Sequence, residues 1–426
     1  MPGARAPERR RGHSPRLSFE ETAMHDHRKL GRELDLFGSD PLIGAGLPYW
    51  LPAGAAVRHA LEQYVHDVER RAGYQHVHSP VLAKRELYEL SGHWSHYRDD
   101  MFPPMSVGGE EFVLRPSLCP HHALIYKSRG RSYRELPLRL AELGGMYRSE
   151  ASGVLGGLTR VRAIQLNDAH IFCDVDDAAA EAADALAMIR DAYAAMGIEP
   201  ARVRLSLPGA GGKYAGAPPL WSRAAALLRE ALSLSGLSYE AEEGEAAFYG
   251  PKIDVQIVDS AGRESTLSTV QIDFHQPERF GLEYVGADGE RHRPVMVHRS
   301  VIGSLERALA QLIEVHGGAF PPWLAPVQVV LVPIGEEQSV AARSVLSRCL
   351  DAGLRVEVAW ADQGSVGARI HAAGPVPYVA VIGAREAGAD AVALRLRDGR
   401  RLDPLPVGEV VGRIAERVSS RALDLW

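Results

Sequence analysis

The sequence predicts an α+β fold, in which an antiparallel sheet flanked by helices precedes a small α/β domain. Two short strands, 247–258 and 264–274, are separated by a turn, and a Gly-rich loop at 151–158 joins two longer strands into a hairpin. After residue 326, apolar strands alternate with helices instead, which is typical of an α/β fold. The Pro-rich stretch 321–326 between them is the predicted domain boundary.

Composition excludes several broad classes. The chain has 426 residues, 46% hydrophobic and 24% charged, with a formal net charge of -6, so nothing in its overall charge draws it to nucleic acid. Three scattered cysteines are too few for a disulfide framework and indicate a reducing, cytoplasmic environment. No apolar run approaches the roughly 20 residues that span a bilayer, so we expect no membrane partner.

The first part of the chain divides into a leader and a sheet domain. Residues 1–25, rich in Pro, Arg, Gly and Ser, predict a disordered leader, and 26–322 the sheet domain. Pro80 cannot donate to a strand ladder, so it belongs at an edge or an interface. Apolar periodicity predicts helices at 26–37, 52–72, 83–104 (a helix and loop), 176–196, 218–236 and 303–316. Predicted strands are 74–81, 111–115, 141–150, 160–172, 247–258, 264–274 and 294–298.

The second domain, 326–426, alternates strands and helices. Strands are predicted at 327–333, 355–359, 377–382 and 391–397, and helices at 336–351 and 407–421. The stretch after residue 326 contains no lysine and equal numbers of arginine and acidic residues, so it is neutral overall.

The strand 160–172 carries the first functional signal. Side chains alternate along a strand, so Leu166, Asp168 and His170 share a face, and its polar pair needs water, a substrate amine or a metal. Cys119 and His298, each at a strand end or helix start, complete with His170 a set that leaves one position open on tetrahedral zinc. The spacings match no compact zinc finger, so three separate local roles are an open alternative.

Arginines surround the Gly-rich turn of the hairpin. Arg148, Arg160 and Arg162 flank it, and Arg307 begins the helix after His298. Planar guanidinium forks bind phosphates in pairs of hydrogen bonds, so this grouping suits a nucleoside triphosphate. A surface hairpin with solvated charges is the alternative.

Many motifs in one order resemble threonyl-tRNA synthetases, a family of class II aminoacyl-tRNA synthetases. The resemblance runs from about residue 26 to 421. Its motifs are Asp26-His27-Arg28-Lys29-Leu30-Gly31, Pro80 of motif 1, Ser91-Gly92-His93-Trp94, Cys119-Pro120, Tyr147-Arg148-Ser149-Glu150 with Arg160-Val161-Arg162 of motif 2, Asp168-Ala169-His170-Ile171-Phe172, Phe248-Tyr249-Gly250-Pro251-Lys252, Thr269-Val270-Gln271-Ile272-Asp273-Phe274, and His298-Arg299 with Gly303-Ser304-Leu305-Glu306-Arg307 of motif 3.

The resemblance implies a site and a reaction. Threonine or a close β-hydroxy amino acid is activated by ATP with Mg²⁺ to an aminoacyl-adenylate and passed to tRNA, while Zn²⁺ recognises the substrate amine and hydroxyl. The implied residues are Arg148 and Arg307 for catalysis; Arg148, Glu150, Arg160, Thr269 and Arg307 for ATP; Asp168, Tyr249, Lys252 and Gln271 for the amino acid; Glu386 and Arg395 for tRNA; and Cys119, His170 and His298 for the metal.

The family likeness also implies a homodimer and a short form without the N-terminal and editing regions. Zinc cannot strongly reject serine, which keeps the hydroxyl and lacks only a methyl group, so we expect measurable serine activation.

The sequence departs from the family pattern at several places, which suggests an altered substrate, a resistant duplicate or a relaxed paralogue. These places are Leu166 for Gln, Thr266 for Gln, Ser268 for Gly, Ser300 for Ala and Gly156 for His. The neutral second domain leaves open an activating enzyme that loads a carrier other than tRNA. A non-catalytic regulatory relative is a third possibility, against which the retained arginines and metal ligands argue.

Overall fold

The computed structural model describes residues 25–211 and 214–426. The leader predicted over residues 1–25 lies outside the described residues, apart from His25. Within the described part, a sheet of eight strands and a sheet of five strands each carry their own helices, accompanied by three small sheets. The predicted α+β class is confirmed.

The helices are named α1 to α13 in chain order. Their bounds are α1 His27–Glu33, α2 Pro52–Arg71, α3 Arg85–Leu90, α4 His93–Tyr97, α5 Cys119–Lys127, α6 Ala178–Met196, α7 Pro218–Ser235, α8 His275–Arg279, α9 Leu305–His316, α10 Ser339–Asp351, α11 Val366–Ala372, α12 Ala384–Gly388 and α13 Val407–Ser419. None of the helices in the described ranges is both long and apolar enough to cross a bilayer.

The strands are named β1 to β20 in the same way. Their bounds are β1 Phe37–Gly38, β2 Tyr49–Trp50, β3 Gln75–His76, β4 Leu82–Lys84, β5 Met105–Val107, β6 Glu110–Leu114, β7 Leu138–Tyr147, β8 Ala163–Cys173, β9 Arg202–Leu207, β10 Glu240–Glu243, β11 Lys252–Val258, β12 Glu264–Asp273, β13 Tyr284–Val285, β14 Arg291–His292, β15 Val295–Ser300, β16 Val329–Pro333, β17 Val356–Val358, β18 Tyr378–Ile382, β19 Ala391–Leu396 and β20 Leu405–Pro406.

The large sheet has the order β10-β9-β11-β12-β15-β8-β7-β3 and is antiparallel through its six central strands. Both end strands, β10 and β3, pair in parallel with their neighbours. Helices α6, α7 and α9 pack against one face of this sheet and form the main apolar core with it. The opposite face is therefore left for a binding cleft.

The hairpin of β7 and β8 is present, with each arm shifted from its predicted bounds. The register pairs Tyr147 with Ala163 and Leu138 with Phe172. The first arm was predicted to run to Glu150, which is wrong, because the backbone N–H of Ser149 donates to Asp100 O instead of to the opposite strand. Arg148 still donates its backbone N–H to Arg162 O across the hairpin at 2.9 Å, Glu150 lies beyond the strand, and both residues line the cleft.

Other bounds also differ from the predictions, for local physical reasons. The strand 74–81 shortens to β3, the last strand of the sheet, and Pro80 lies beyond it, exposed. The helix predicted from residue 303 begins at Leu305, because the Ser304 hydroxyl caps it by accepting from Arg307 N–H. Strands β9 and β10 were missed because their charged residues, paired across the sheet as Arg202 with Glu240 and Glu242, obscure the apolar alternation.

The five-stranded sheet has the order β17-β16-β18-β19-β20 and packs on α10 and α13. The stretch 321–326 is not a free linker, since Trp323, Leu324 and Ala325 are buried in the core of the large sheet. The Trp323 ring lies tilted against that of Tyr64, with the ring centroids 5.3 Å apart, and Arg355 donates to the Trp323 carbonyl oxygen at 2.8 Å. The segment that joins the two sheets is thus packed into the protein core.

Candidate functional site

A cleft of about 560 Å³ opens on the face of the large sheet opposite α6, α7 and α9. Its walls come from β7, β8, β12, β15 and the start of α9. Ten of the residues singled out from the sequence line it: Arg148, Glu150, Arg160, Asp168, Tyr249, Lys252, Thr269, Gln271, His298 and Arg307. Cys119 and His170 lie buried just beneath the cleft floor, beside His298.

Three arginines make one end of the cleft cationic. Arg307 donates from Nη1 to Thr266 O at 2.5 Å and from Nε to Thr159 O at 3.3 Å, which fixes its guanidinium. Burial, together with the nearby charges of Arg148 and Arg160, lowers the pKa of Arg307. Even with Arg160 paired to Glu150, the three guanidinium groups leave this end of the cleft positively charged, so a polyanion is the ligand that it favours.

Glu150 is held beside these arginines. Its Oε2 atom lies 2.9 Å from Nη2 of Arg160, and Arg162 donates from Nε to its backbone oxygen at 2.9 Å. In this arrangement the Glu150 carboxylate positions Arg160, and Arg162 ties down the backbone of the loop that follows β7.

Cys119, His170 and His298 come together under the other end of the cleft. One ligand atom from each lies within 4.8 Å of the others, and all three residues are buried. Burial and the neighbouring imidazoles lower the pKa of His170 well below its usual value, which keeps it neutral, while burial raises the pKa of the Cys119 thiol. A sulfur and two nitrogens that leave one position open are the donors of substrate-binding zinc sites.

A chain of buried polar residues fixes the orientation of the His170 ring. Its Nδ1 lies 2.8 Å from Nδ1 of His122, whose Nε2 lies 3.2 Å from Glu142, and Glu142 is paired in turn with Arg115. Nε2 of His170 is buried without a hydrogen-bond partner, which is the arrangement expected of a nitrogen that ligates a metal. The residues present therefore fit a metal ion.

His298 has a comparable support that the sequence reasoning missed. Its Nε2 lies 2.9 Å from Oδ2 of Asp273, whose Oδ1 accepts the backbone N–H groups of His275 and Gln276. Asp273 follows Gln271 by two residues on β12, so the strand alternation that placed Gln271 in the site also placed Asp273 there. Glu142 had a similar signal, because it lies opposite Asp168 in the hairpin register.

A small polar pocket adjoins the three metal-type ligands. The hydroxyl of Tyr249 donates to Oε1 of Gln271 at 2.9 Å, and the Tyr249 ring lies 5.1 Å from that of His298. Oδ2 of Asp168 lies 3.8 Å from the free Nε2 of His170, and burial raises the pKa of Asp168 to about 6. A carboxylate, a phenol and an amide around one buried point can bind a ligand that carries an amine and a hydroxyl group.

Asp254 is a second residue that the sequence did not reveal. Its fully buried carboxylate accepts from Thr269 Oγ1 at 3.0 Å and lies 2.8 Å from Lys252 Nζ and 3.2 Å from Arg204. It therefore sets the positions of Lys252 and Thr269, the two site residues on neighbouring strands.

The departures from the family pattern do not all line one pocket. Leu166, Thr266 and Ser300 do line the cleft. Ser268 is fully buried on the other side of the sheet, where it bonds to the Tyr193 hydroxyl at 2.9 Å and to Val301 O at 2.5 Å. Gly156 lies in the loop of the hairpin, away from the metal-type ligands.

Glu386 and Arg395 lie outside the cleft, on the five-stranded sheet domain. Glu386 opens α12 and accepts the backbone N–H of Gly383 at 3.0 Å, so its carboxylate is partly committed to capping that helix. Arg395 lies on β19, half-buried, opposite Val379.

His27 is a further residue near the cleft without an assigned role in the sequence analysis. Its buried imidazole accepts the backbone N–H of Leu158 at Nε2, at 3.2 Å, and so donates from Nδ1 to Glu314 at 2.6 Å. It joins α1 to both the hairpin loop and α9, which carries Arg307.

Known proteins resemble most of the chain. The family described as tRNA synthetase class II core domain (G, H, P, S and T) matches residues 105–316, and an anticodon binding domain matches 328–417. The threonine–tRNA ligase of Halalkalibacterium halodurans is 47% identical over 402 residues, covering 93% of this chain and 62% of the relative; that of Streptococcus suis is 48% identical over 408 residues, covering 95% and 63%. The chain thus spans less than two thirds of these relatives.

Solved structures are also similar to this chain in fold. The RNA binding domain of threonyl-tRNA synthetase from Cryptosporidium parvum superimposes with a TM-score of 0.88 at 34% identity, covering 94% of this chain and 99% of that one. A putative threonyl-tRNA synthetase from Aeropyrum pernix gives a TM-score of 0.80 at 28% identity, covering 94% and 98%.

Proposed function

Because the chain belongs to the threonyl-tRNA synthetase family of class II aminoacyl-tRNA synthetases, we propose that it activates threonine, or a close β-hydroxy amino acid, with ATP and transfers it to tRNA. The observation that carries this proposal is the cleft itself. Its cationic end and its amine-and-hydroxyl pocket lie on the same sheet face, as an adenylate-forming reaction requires.

In the activation step, the substrate carboxylate attacks the α-phosphorus of ATP and pyrophosphate leaves. Arg148 binds the α-phosphate, and Arg307, held by two backbone carbonyls, binds the γ-phosphate. Arg160, which Glu150 holds in place, adds positive charge, and Glu150 itself orients the adenine or a Mg²⁺ ion, as the family resemblance implies. The protein contributes position and charge neutralisation to this reaction, and no covalent intermediate with the protein is needed.

Amino acid selection takes place at the other end of the cleft. Cys119, His170 and His298 would hold Zn²⁺, which when bound supplies a coordination position for the substrate amine and hydroxyl. Asp168 binds the amine, Tyr249 and Gln271 line the same pocket, and Lys252 with Thr269 is held at its edge by Asp254. Valine lacks the hydroxyl and is rejected, whereas serine lacks only a methyl group.

The activated acyl group is transferred to a terminal ribose hydroxyl of tRNA with release of AMP. We propose that the five-stranded domain binds the anticodon through Glu386 and Arg395, which its match to an anticodon binding domain supports. The use of tRNA and three free cysteines also fit a cytoplasmic protein.

Amino-acid-dependent exchange of pyrophosphate into ATP tests the activation step. We expect a strong signal with threonine, a weaker one with serine and none with valine. The absence of exchange with every amino acid in a complete panel would refute the proposal and favour the non-catalytic alternative.

A different acceptor is the second candidate, and the neutral, lysine-free stretch after residue 326 favours it. Such a protein would give full pyrophosphate exchange with threonine but would not charge total tRNA. Charging of tRNA at a rate comparable to exchange therefore supports the first candidate and excludes the second.

We further propose that two copies associate along β3. This strand ends the eight-stranded sheet with an open edge, and the exposed Pro80 follows it closely. Open edges are normally covered by another chain or protected by other means. Light scattering on the purified protein should give twice the mass of the chain, and a monomer at assay concentrations would contradict the proposal.

A further inference from the structure

A second group of metal-ligand side chains lies away from the cleft, where α2 ends and β3 begins. His66 and Glu69 are three residues apart on α2, so they share one face of the helix. The chain turns back after α2, and β3 brings His76 against that same face. Three side chains that do not line the cleft thus converge at one point.

The geometry of the three side chains is that of a ligand set. One ligand atom from each of His66, Glu69 and His76 lies within 4.8 Å of the others, the same separation that defines the Cys119 group. The two imidazole centroids are 4.5 Å apart, and Nε2 of His76 lies 2.8 Å from Oε2 of Glu69. Ligands about 2.0–2.2 Å from one ion have comparable mutual separations, so only small movements are needed.

Glu69 is held so that one oxygen faces the two histidines. Its other oxygen, Oε1, lies 2.8 Å from Arg299 and accepts from Asn167 Nδ2 at 2.7 Å. Hydrogen bonds to the non-ligating oxygen are the usual support of a carboxylate that binds a metal.

We propose that His66, Glu69 and His76 bind one divalent metal ion of the zinc type, separate from the ion held by Cys119, His170 and His298. Two nitrogens and one carboxylate oxygen are donors that suit Zn²⁺ and its chemical neighbours. In the single chain the two histidines are half-buried while Glu69 is buried, so the ion reaches the site from the side of the histidines. The bound ion would cross-link α2 to β3. The charge of Arg299 opposes the cation, so this ion binds more weakly than the other.

Metal content of the purified protein tests the proposal. After equilibration with excess Zn²⁺ and removal of free metal on a short column, we expect about two zinc ions per chain. His66→Gln and Cys119→Ser should each retain one. His59→Gln is the matched control, because His59 has the same spacing to Glu62 on α2 and contacts it at 3.8 Å, yet has no third ligand nearby in the described structure.

Cobalt distinguishes the two sites by spectrum. Co²⁺ bound by Cys119 gives a sulfur-to-metal charge-transfer band, whereas Co²⁺ bound by two histidines and a glutamate gives only the weak visible bands. His66→Gln should keep the charge-transfer band, which also shows that this variant is folded, and should lose one cobalt ion. A wild-type protein that binds one ion, lost entirely in Cys119→Ser, would overturn the proposal, as would two ions retained in His66→Gln.

Discussion

Replacing Arg307 by alanine tests the cationic end of the cleft most directly. Its Nε and Nη1 atoms are used by the carbonyl oxygens of Thr159 and Thr266, which leaves Nη2 for a phosphate. A charge pair about 4 Å apart in an environment of effective dielectric constant near 20 is worth about 4 kcal/mol. That energy corresponds to about a thousandfold in rate.

Mg²⁺ and the other arginines take up part of the phosphate charge, so we expect Arg307→Ala to lower kcat/KM for ATP by about 10²–10³-fold. Arg307→Lys keeps the charge but cannot donate to both carbonyls, and we expect a loss of about tenfold. Pyrophosphate exchange at varied ATP concentration measures both. Arg293→Ala, an exposed arginine on the same domain, is the control.

The free protein should respond in the opposite direction. Because burial and the neighbouring arginines lower the pKa of Arg307, its charge is disfavoured before ATP binds. Arg307→Ala should therefore melt no earlier than the wild type without ligand, and should lose the rise in melting temperature that ATP produces. An Arg307→Ala protein that keeps more than a tenth of wild-type exchange would refute this role for the residue.

Three further substitutions test other parts of the site. Leu166→Gln adds an amide to the cleft wall and should lower the KM for threonine several-fold, since one hydrogen bond contributes about 1 kcal/mol; unchanged exchange and charging would show that Leu166 is neutral. His27→Ala removes the hydrogen bonds that link Leu158 to Glu314 and should raise the KM for ATP about tenfold with little change in kcat. His27→Gln should show a smaller rise in KM. Equal losses in KM and kcat would contradict a positioning role. Burial raises the pKa of Glu306 from 4.5 to about 7, so the stability that its protonated carboxyl contributes is present below pH 4.5 and is lost as the pH rises through 7. Glu306→Gln should therefore stabilise the protein by about 3 kcal/mol above pH 8 and have no effect near pH 4.5. A difference in melting temperature that does not depend on pH would exclude this explanation.

Alternation along strands predicted much of the site. The period of two placed Asp168 and His170 on one face of β8, and the structure brings both to the cleft region with Cys119 and His298. The hairpin was predicted from a Gly-rich loop between two strands, and β7 and β8 do pair across it. These signals depend on residues that are close together in the chain, so a single sequence is enough to detect them.

Contacts between distant segments could not be predicted in this way. Nothing near Asp254 in the sequence indicates that Lys252, Thr269 and Arg204 converge on it, because Arg204 comes from the unpredicted strand β9. Nothing near Ser268 in the sequence indicates that it is buried on the face opposite the cleft, against Tyr193. A register irregularity in β11 between Val255 and Gln256, opposite this part of β12, is invisible in the residue pattern.

The hairpin of β7 and β8 also determines which kinds of genetic change the cleft can accept. Replacing a side chain, as at Leu166, leaves every other residue on its own face. Deleting one residue between Ala163 and Asp168 would place Ala169 at the position of Asp168, turn Asn167 toward the cleft and carry the Asp168 carboxylate to the side covered by α6, α7 and α9. The binding surface can therefore diversify by substitution, whereas the length of this strand is fixed to the residue, and variants selected for new substrates should never differ from one another by insertions here.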